Sequence, residues 1–204
     1  MIRKILSGVC AGILISIGGT IFLSCENKIV GAVLFTVALL CICMKGFSLF
    51  TGKVGYLVEA HGREEISVLL WGLLGNAVGT GVCGYILSFV LPAVSENAIT
   101  ITTAKLAQSV PGAFVRAVFC GILMYLAVSI FRDKKTIAGI VFCIPVFILC
   151  GFEHSIADMF YFAVRGYMDW QAILYLIIII LGNSLGGVLL PLLQLPGSRK
   201  AENK

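Results

Sequence analysis

Glu153, His154 and Asp158 fall together in the stretch Cys150-Gly151-Phe152-Glu153-His154-Ser155-Ile156-Ala157-Asp158-Met159-Phe160, inside a run that otherwise reads as membrane interior. Thr136 to Gly151 upstream carries no charge, and downstream, after Tyr161 and Phe162, the chain soon reaches Arg165. Two carboxylates and an imidazole are the side-chain types that exchange protons or hold small polar solutes, and histidine's reference pKa of about 6.5 suits exchange near neutrality. Such groups are costly at membrane depth, so they mark a functional site facing a cavity or a bundle interior.

The rest of the chain reads as the scaffold for this segment. It has 204 residues, 59% hydrophobic and 12% charged, with a mean hydropathy of +1.05. A soluble domain carries about twice that charged fraction. Uncharged apolar runs of about 20 residues recur, each long enough to cross a bilayer as a helix. The expectation is a polytopic membrane protein in one domain spanning 1–204. The formal charge of +5 does not imply nucleic acid, because the basic residues lie in short connections and at the termini. The first apolar run, Ile5 to Cys25, is longer than a signal core, lacks a convincing cleavage site and reads as a first span. Of the eight cysteines, Cys10, Cys41, Cys43, Cys83, Cys120, Cys143 and Cys150 lie in apolar runs without metal-type spacing, and read as packing residues. No metal site and no cofactor is expected.

Six spans follow in order. The first has Gly8 and Gly12 spaced for close helix contact. The second runs clean from Ile29 to Met44, then meets Lys45-Gly46-Phe47-Ser48-Leu49-Phe50-Thr51-Gly52-Lys53, too polar and glycine-rich for continuous helix, before Val54 to Val58 resumes. Glu59 to Glu65 reads as an aqueous loop. The third span is Ile66 to about Val90, closed by Pro92 and a polar connection from Ser95 to Thr103. The fourth runs from about Ala104 to Phe131 and contains Lys105 and Arg116; the fifth starts at Thr136 and is interrupted at Gly151 to Asp158; the sixth is about Ala172 to Leu193. Arg3, Lys4, Arg63, Arg132, Lys134, Lys135, Arg199, Lys200 and Lys204 fall on one side, against Lys28 and Arg165 on the other with Lys105 near its face. By the positive-inside rule both termini are expected in the cytoplasm, in a cell-membrane protein.

The two halves also match. Gly12-Ile13-Leu14 pairs with Gly121-Ile122-Leu123, Gly46-Phe47 with Gly151-Phe152, and Gly75-Asn76-Ala77-Val78-Gly79 with Gly182-Asn183-Ser184-Leu185-Gly186, in the same order and at nearly equal intervals. Three spans per half require the halves, about 5–92 and 104–195, to be inverted in the membrane. Inverted repeats with one discontinuous helix each are a transporter and channel design.

With these residues in view the chain resembles the formate/nitrite transporter family over essentially its whole length. The carriers are Leu49-Phe50-Thr51-Gly52, the two Gly-Asn-x-x-Gly motifs, Lys105, and Gly151-Phe152-Glu153-His154-Ser155 with Ala157, Met159 and Phe160. The resemblance implies an all-α, aquaporin-like protomer of six transmembrane helices in two inverted three-helix repeats, with helices two and five broken. It implies a homopentamer with one pore per protomer, passing small monovalent weak-acid anions such as formate, nitrite, hydrosulfide, acetate or lactate. It places Thr51 and His154 facing each other on the two breaks, between apolar constrictions that include Phe35, Leu39, Leu49, Phe50 and Phe147, and Lys105 in the outer vestibule. The chain departs from the family at Asp158, Lys53 and Gly121, where asparagine is usual, and Lys45 is also unusual. Relatives can carry a longer cytoplasmic N-terminal segment proposed to gate the pore, and Met1 to Lys4 leaves little for that job.

A bare anion does not cross an apolar constriction cheaply, whereas its neutral acid does. Lys105 is expected to gather the anion, and the falling dielectric to raise its proton affinity. The proton then comes from bulk water or through His154, with Thr51 offering its hydroxyl. Glu153 is expected to accept backbone N–H groups freed by the break, and Asp158 to support the same broken helix. Asn76 and Asn183 read as ties between helices, and Arg116 as a partner for a carboxylate or loop carbonyls. Plainer roles exist: His154 bonding a neighbouring helix, Thr51 as a helix cap, Lys105 snorkelling to an interface. His61 reads as solvated, and Tyr167 and Trp170 as interfacial aromatics. A neutral-solute pore for water, ammonia or hydrogen sulfide is the alternative to anion transport. A membrane enzyme using Glu153, His154 and Asp158 has no supporting spacing, so no enzymatic activity is expected.

Overall fold

The structure, a computed structural model, describes residues 1–194. The polar tail 197–204, with Arg199, Lys200 and Lys204, lies outside the described residues. Every regular element among the described residues is helical: α1 (Ile2–Ser24), α2 (Lys28–Lys45), α3 (Phe50–Lys53), a 3₁₀ turn over Val54–Val58, α4 (Arg63–Val90), α5 (Pro92–Leu106), α6 (Val110–Lys134), α7 (Ala138–Leu149), α8 (Ser155–Val164) and α9 (Trp170–Gln194). α1, α2, α4, α6 and α9 are each long and apolar enough to cross a membrane, while α7 and α8 are shorter apolar helices.

Both interruptions have the same local cause. α2 ends where Gly46 takes φ 70°, and the Phe47 N–H turns back onto the Ile42 carbonyl. α7 ends where Gly151 takes φ 66°, and the Phe152 N–H turns back onto the Phe147 carbonyl. A left-handed residue terminates a helix, and glycine occupies that region without the Cβ clash other residues suffer. The backbone groups released by each break are collected by an asparagine. Asn76 on α4 donates to the carbonyls of Gly8 (2.9 Å) and Ser48 (2.8 Å) and accepts from the Phe50 N–H (2.9 Å). Asn183 on α9 donates to the carbonyls of Ala117 and Glu153 and accepts from the Ser155 N–H, all at 2.8 Å. Each side chain thus joins a long helix, the last residues of a break and the start of the next helix.

Close packing of α1 on α4 depends on glycines that let the backbones touch. A Cβ on Gly75 would lie 2.8 Å from the Gly8 Cα and 2.9 Å from the Val9 nitrogen, atoms that no side-chain rotation can move away. Gly75→Ala is therefore expected to cost about 1–3 kcal/mol, as overpacking does. Gly81→Ala, on the same helix with nothing within 4 Å of its Cβ position, should melt no lower than wild type. Thermal unfolding of the two variants in detergent provides the comparison; equal melting would refute the packing argument.

The structure corrects several expected boundaries. Ser95 to Thr103 is not a polar connection but part of α5, which opens with Pro92 in its first turn. Its polar residues are tolerated because Thr100 and Thr102 return their hydroxyls to the carbonyls of Glu96 and Ala98 one turn back, and Ala98 and Thr102 face the interior. α6 begins only at Val110, where Ser109 Oγ caps the Gly112 N–H and Pro111 occupies the first turn. Lys105 therefore sits in the last turn of α5 and not on the following span. After the first break the chain continues as one α turn and a 3₁₀ turn, so Thr51 is in α3 and not in the loop. The second interruption ends at His154, leaving Asp158 inside α8.

Candidate functional site

His154 is the N-cap of α8. Its Nδ1 accepts the Ala157 N–H at 3.1 Å, and its Nε2 lies 2.8 Å from Thr51 Oγ1. Since Nδ1 is engaged as an acceptor, the neutral ring carries its proton on Nε2 and donates it to the threonine oxygen. The Thr51 hydroxyl hydrogen is then free for a further partner. Both residues are buried, Thr51 at 0% and His154 at 2% exposure. The breaks, far apart in sequence, thus meet through one side-chain hydrogen bond.

Apolar residues pack around this pair and along the cavity near it. The Phe147 ring stacks on the imidazole with centroids 5.6 Å apart, and Phe35 packs edge-on against Phe147 at 6.4 Å. Leu39 and Leu49, both buried, line a cavity of about 500 Å³ that also reaches Gly52, Lys53, Glu64, Glu65, Arg132 and Lys135. Phe50 is buried beside Thr51, at the start of α3. The cavity opens on the side of the N-terminus, where Lys4 pairs with Glu64 at 2.8 Å.

Glu153 differs from its expected role. The N–H groups at the second break go to Asn183 and to the imidazole, and the Glu153 carboxylate instead accepts from Lys105 Nζ and, at 2.7 Å, from Gln108 Nε2. Asp158 Oδ1 is 2.9 Å from the same ammonium group. Lys105 is therefore enclosed by two buried carboxylates, Glu153 at 2% and Asp158 at 1%, and its Nζ also stands 5.9 Å from the centre of the Tyr161 ring. With both carboxylates ionised the cluster carries one net negative charge; with one protonated it is neutral. An ammonium so compensated is a poor long-range attractor of anions, contrary to the expectation from sequence. The helix ends suit the charges: Lys105 closes the last turn of α5 and Asp158 lies in the first turn of α8. Gln108 was missed in the sequence; it lies two residues past the end of α5, where its N–H turns back onto the Lys105 carbonyl at 3.1 Å, a turn that no local pattern announces.

Arg116 Nη1 donates to the Gly151 carbonyl at 3.1 Å, tying α6 to the second break. Arg165, expected on the face opposite the termini, is buried at the end of α8. It lies 3.7 Å from the centre of the Tyr167 ring and 2.6 Å from Asp169 Oδ2. Asp169 also accepts the Ala172 N–H at the start of α9; that bond, with Arg165 beside it, holds its carboxyl below the ordinary aspartate value. Tyr167 and Trp170 are exposed. Among the described residues no cluster of histidine, cysteine or acidic side chains is arranged to hold a metal ion.

Several apolar helices of membrane-crossing length, and two interrupted segments meeting at a buried histidine packed among apolar side chains, mark a multi-pass membrane protein of the channel or transporter class. Residues 1–195 match the family described as formate/nitrite transporter, and the chain belongs to that family. It is 29% identical to the uncharacterized transporter YwcJ of Bacillus subtilis (strain 168), an alignment covering 93% of this chain and 86% of that protein. It is 30% identical to a probable formate transporter of Methanothermobacter thermautotrophicus, over 79% of this chain and 72% of that one. Among solved structures, a pentameric formate channel with formate bound superposes with a TM-score of 0.81 at 23% identity, covering 95% of each chain.

Proposed function

We propose that the chain is a membrane channel or transporter for a small monovalent weak-acid anion of the formate, nitrite or hydrosulfide class, passing it through a path centred on Thr51 and His154. The observation that carries this reading is the bond between Thr51 Oγ1 and His154 Nε2, held between the Phe35–Phe147 pair and the leucines Leu39 and Leu49. It agrees with the family and with formate in the superposed channel. The fold on this reading is one transmembrane domain of six spans, α3 and α8 resuming interrupted spans. The halves form inverted repeats, which the matching asparagine bonds of Asn76 and Asn183 support. The protomers assemble as a homopentamer in the cell membrane, with both termini on the cytoplasmic side.

Chemically, the path must discharge its cargo before the apolar closures. An anion entering a narrowing, weakly polar space loses hydration, which favours its protonated form. His154 then acts as a neutral donor at Nε2, because protonating Nδ1 would set two N–H groups against each other and break the cap on Ala157. The proton consequently comes from bulk water with the substrate, and the Thr51 hydroxyl, whose oxygen the ring holds, offers its hydrogen to the cargo. One observation favours the second reading, a pore for neutral solutes such as water, ammonia or hydrogen sulfide: the charge of Lys105 is compensated by Glu153 and Asp158. Competition between anions for flux separates the two.

His154→Ala tests the path. It removes the buried donor that orients the Thr51 hydroxyl, and the maximal rate of formate uptake into proteoliposomes should fall about tenfold, the kinetic equivalent of one hydrogen bond. Uptake unchanged in rate and in pH dependence would remove the histidine from the mechanism.

A further inference from the structure

Lys53 is the least exposed charge on the cavity that opens on the N-terminal side. It follows Gly52 at the end of α3 and lines the same space as Leu49, which is buried two residues before Thr51. Its ammonium donates to Ser48 Oγ at 3.0 Å, and no carboxylate lies within ion-pairing distance among the described residues. The anchor is itself fixed: the Ser48 carbonyl accepts from Asn76, and its N–H donates to Ser7 Oγ at 3.0 Å. An ammonium has three donors, so two remain for a guest.

The other charges on this cavity are engaged or more exposed. Arg132 is bound by Glu59 and Asp133, and Glu64 is 74% exposed and paired with Lys4. Glu65 and Lys135 line the cavity as exposed residues of opposite sign. Lys53 alone combines half-burial, a fixed ammonium and a place on the cavity wall shared with the buried Leu39 and Leu49, where a weaker dielectric strengthens its attraction for an anion. Lys105 meets its two carboxylates within ion-pairing distance; Lys53 has only a hydroxyl.

We propose that Lys53 is the anion-binding residue of this mouth, taking a small monovalent carboxylate or oxyanion on its two free N–H groups before the cargo is protonated and passes Leu49. This rests on the anion-transport reading above and assigns its charge-selecting step to the mouth opposite Lys105. In sealed vesicles of uniform orientation, initial rates of labelled formate flux from the Lys53 side are measured against concentration for wild type, Lys53→Gln and Lys53→Arg, at low and high ionic strength. Lys53→Gln should raise the half-saturating concentration about three- to tenfold at low salt with little change in maximal rate, as expected for a lost ion contact. Lys53→Arg should keep the wild-type value, and added salt should shrink the difference. Half-saturation unchanged in Lys53→Gln while the wild type carries formate overturns this proposal and leaves the transport reading intact. A lower maximal rate at unchanged half-saturation overturns it in favour of a role in opening the path. If the wild type carries no anion, both fall.

Discussion

Lys105→Met is expected to be among the most damaging single substitutions in the chain. It removes the cation that Glu153 and Asp158 both face and leaves two carboxylates, each almost fully buried, on either side of an apolar side chain. Breaking a buried ion pair in this way costs about 3–5 kcal/mol, because the remaining charge keeps its desolvation penalty without compensation. The variant should be recovered poorly from membranes and elute as aggregate on size exclusion. The cluster's arithmetic predicts a rescue. Lys105→Met combined with Asp158→Asn leaves one carboxylate, still accepting from Gln108, and should recover much of the folded protein. Asp158→Asn alone keeps the Lys105–Glu153 pair and should be tolerated. A double variant no better than Lys105→Met would show that the two carboxylates do not share the lysine's charge.

Asn183→Ala is the second large effect. Its amide satisfies the Ala117 and Glu153 carbonyls and the Ser155 N–H, all in the interior. Two of these backbone groups flank His154. Leaving a buried polar group unpaired costs about 1–3 kcal/mol, so three together exceed about 3 kcal/mol. The melting temperature should drop by more than that of Gly75→Ala. Any protein that folds should also transport less, since the backbone aiming the imidazole at Thr51 has lost its tie. Asn183→Asp accepts from Ser155 but cannot donate to the carbonyls, and should be no better. Normal melting of Asn183→Ala would mean that water replaces the amide.

The sequence made the breaks readable because only glycine is at home in the left-handed conformation that ends α2 and α7, and Gly46 and Gly151 stand in matching contexts. Asn76 and Asn183 were readable for a related reason: an amide within a glycine-rich apolar helix needs buried partners, and backbone freed nearby supplies them. The helix α5 was not readable. Its Ser, Glu, Asn and Thr residues give a loop-like composition, and only the packing of Ala98 and Thr102 against neighbours overrides that local signal. Nor was the Lys105 cluster. Lys105, Glu153 and Asp158 each suggest a function singly, but their charge balance depends on α5 docking against α8, which no local pattern encodes. The histidine's cap on Ala157 is another case: residue type announces a proton exchanger, while the backbone around it fixes which nitrogen can donate.

The most direct test of the central claim is formate uptake by the wild-type protein in proteoliposomes, measured across pH beside an equal-sized flux assay for water and ammonia. A weak-acid path predicts saturable formate uptake that rises as pH falls and is competed by nitrite or acetate. Passage of water or ammonia with no movement of any small anion at any pH would contradict it.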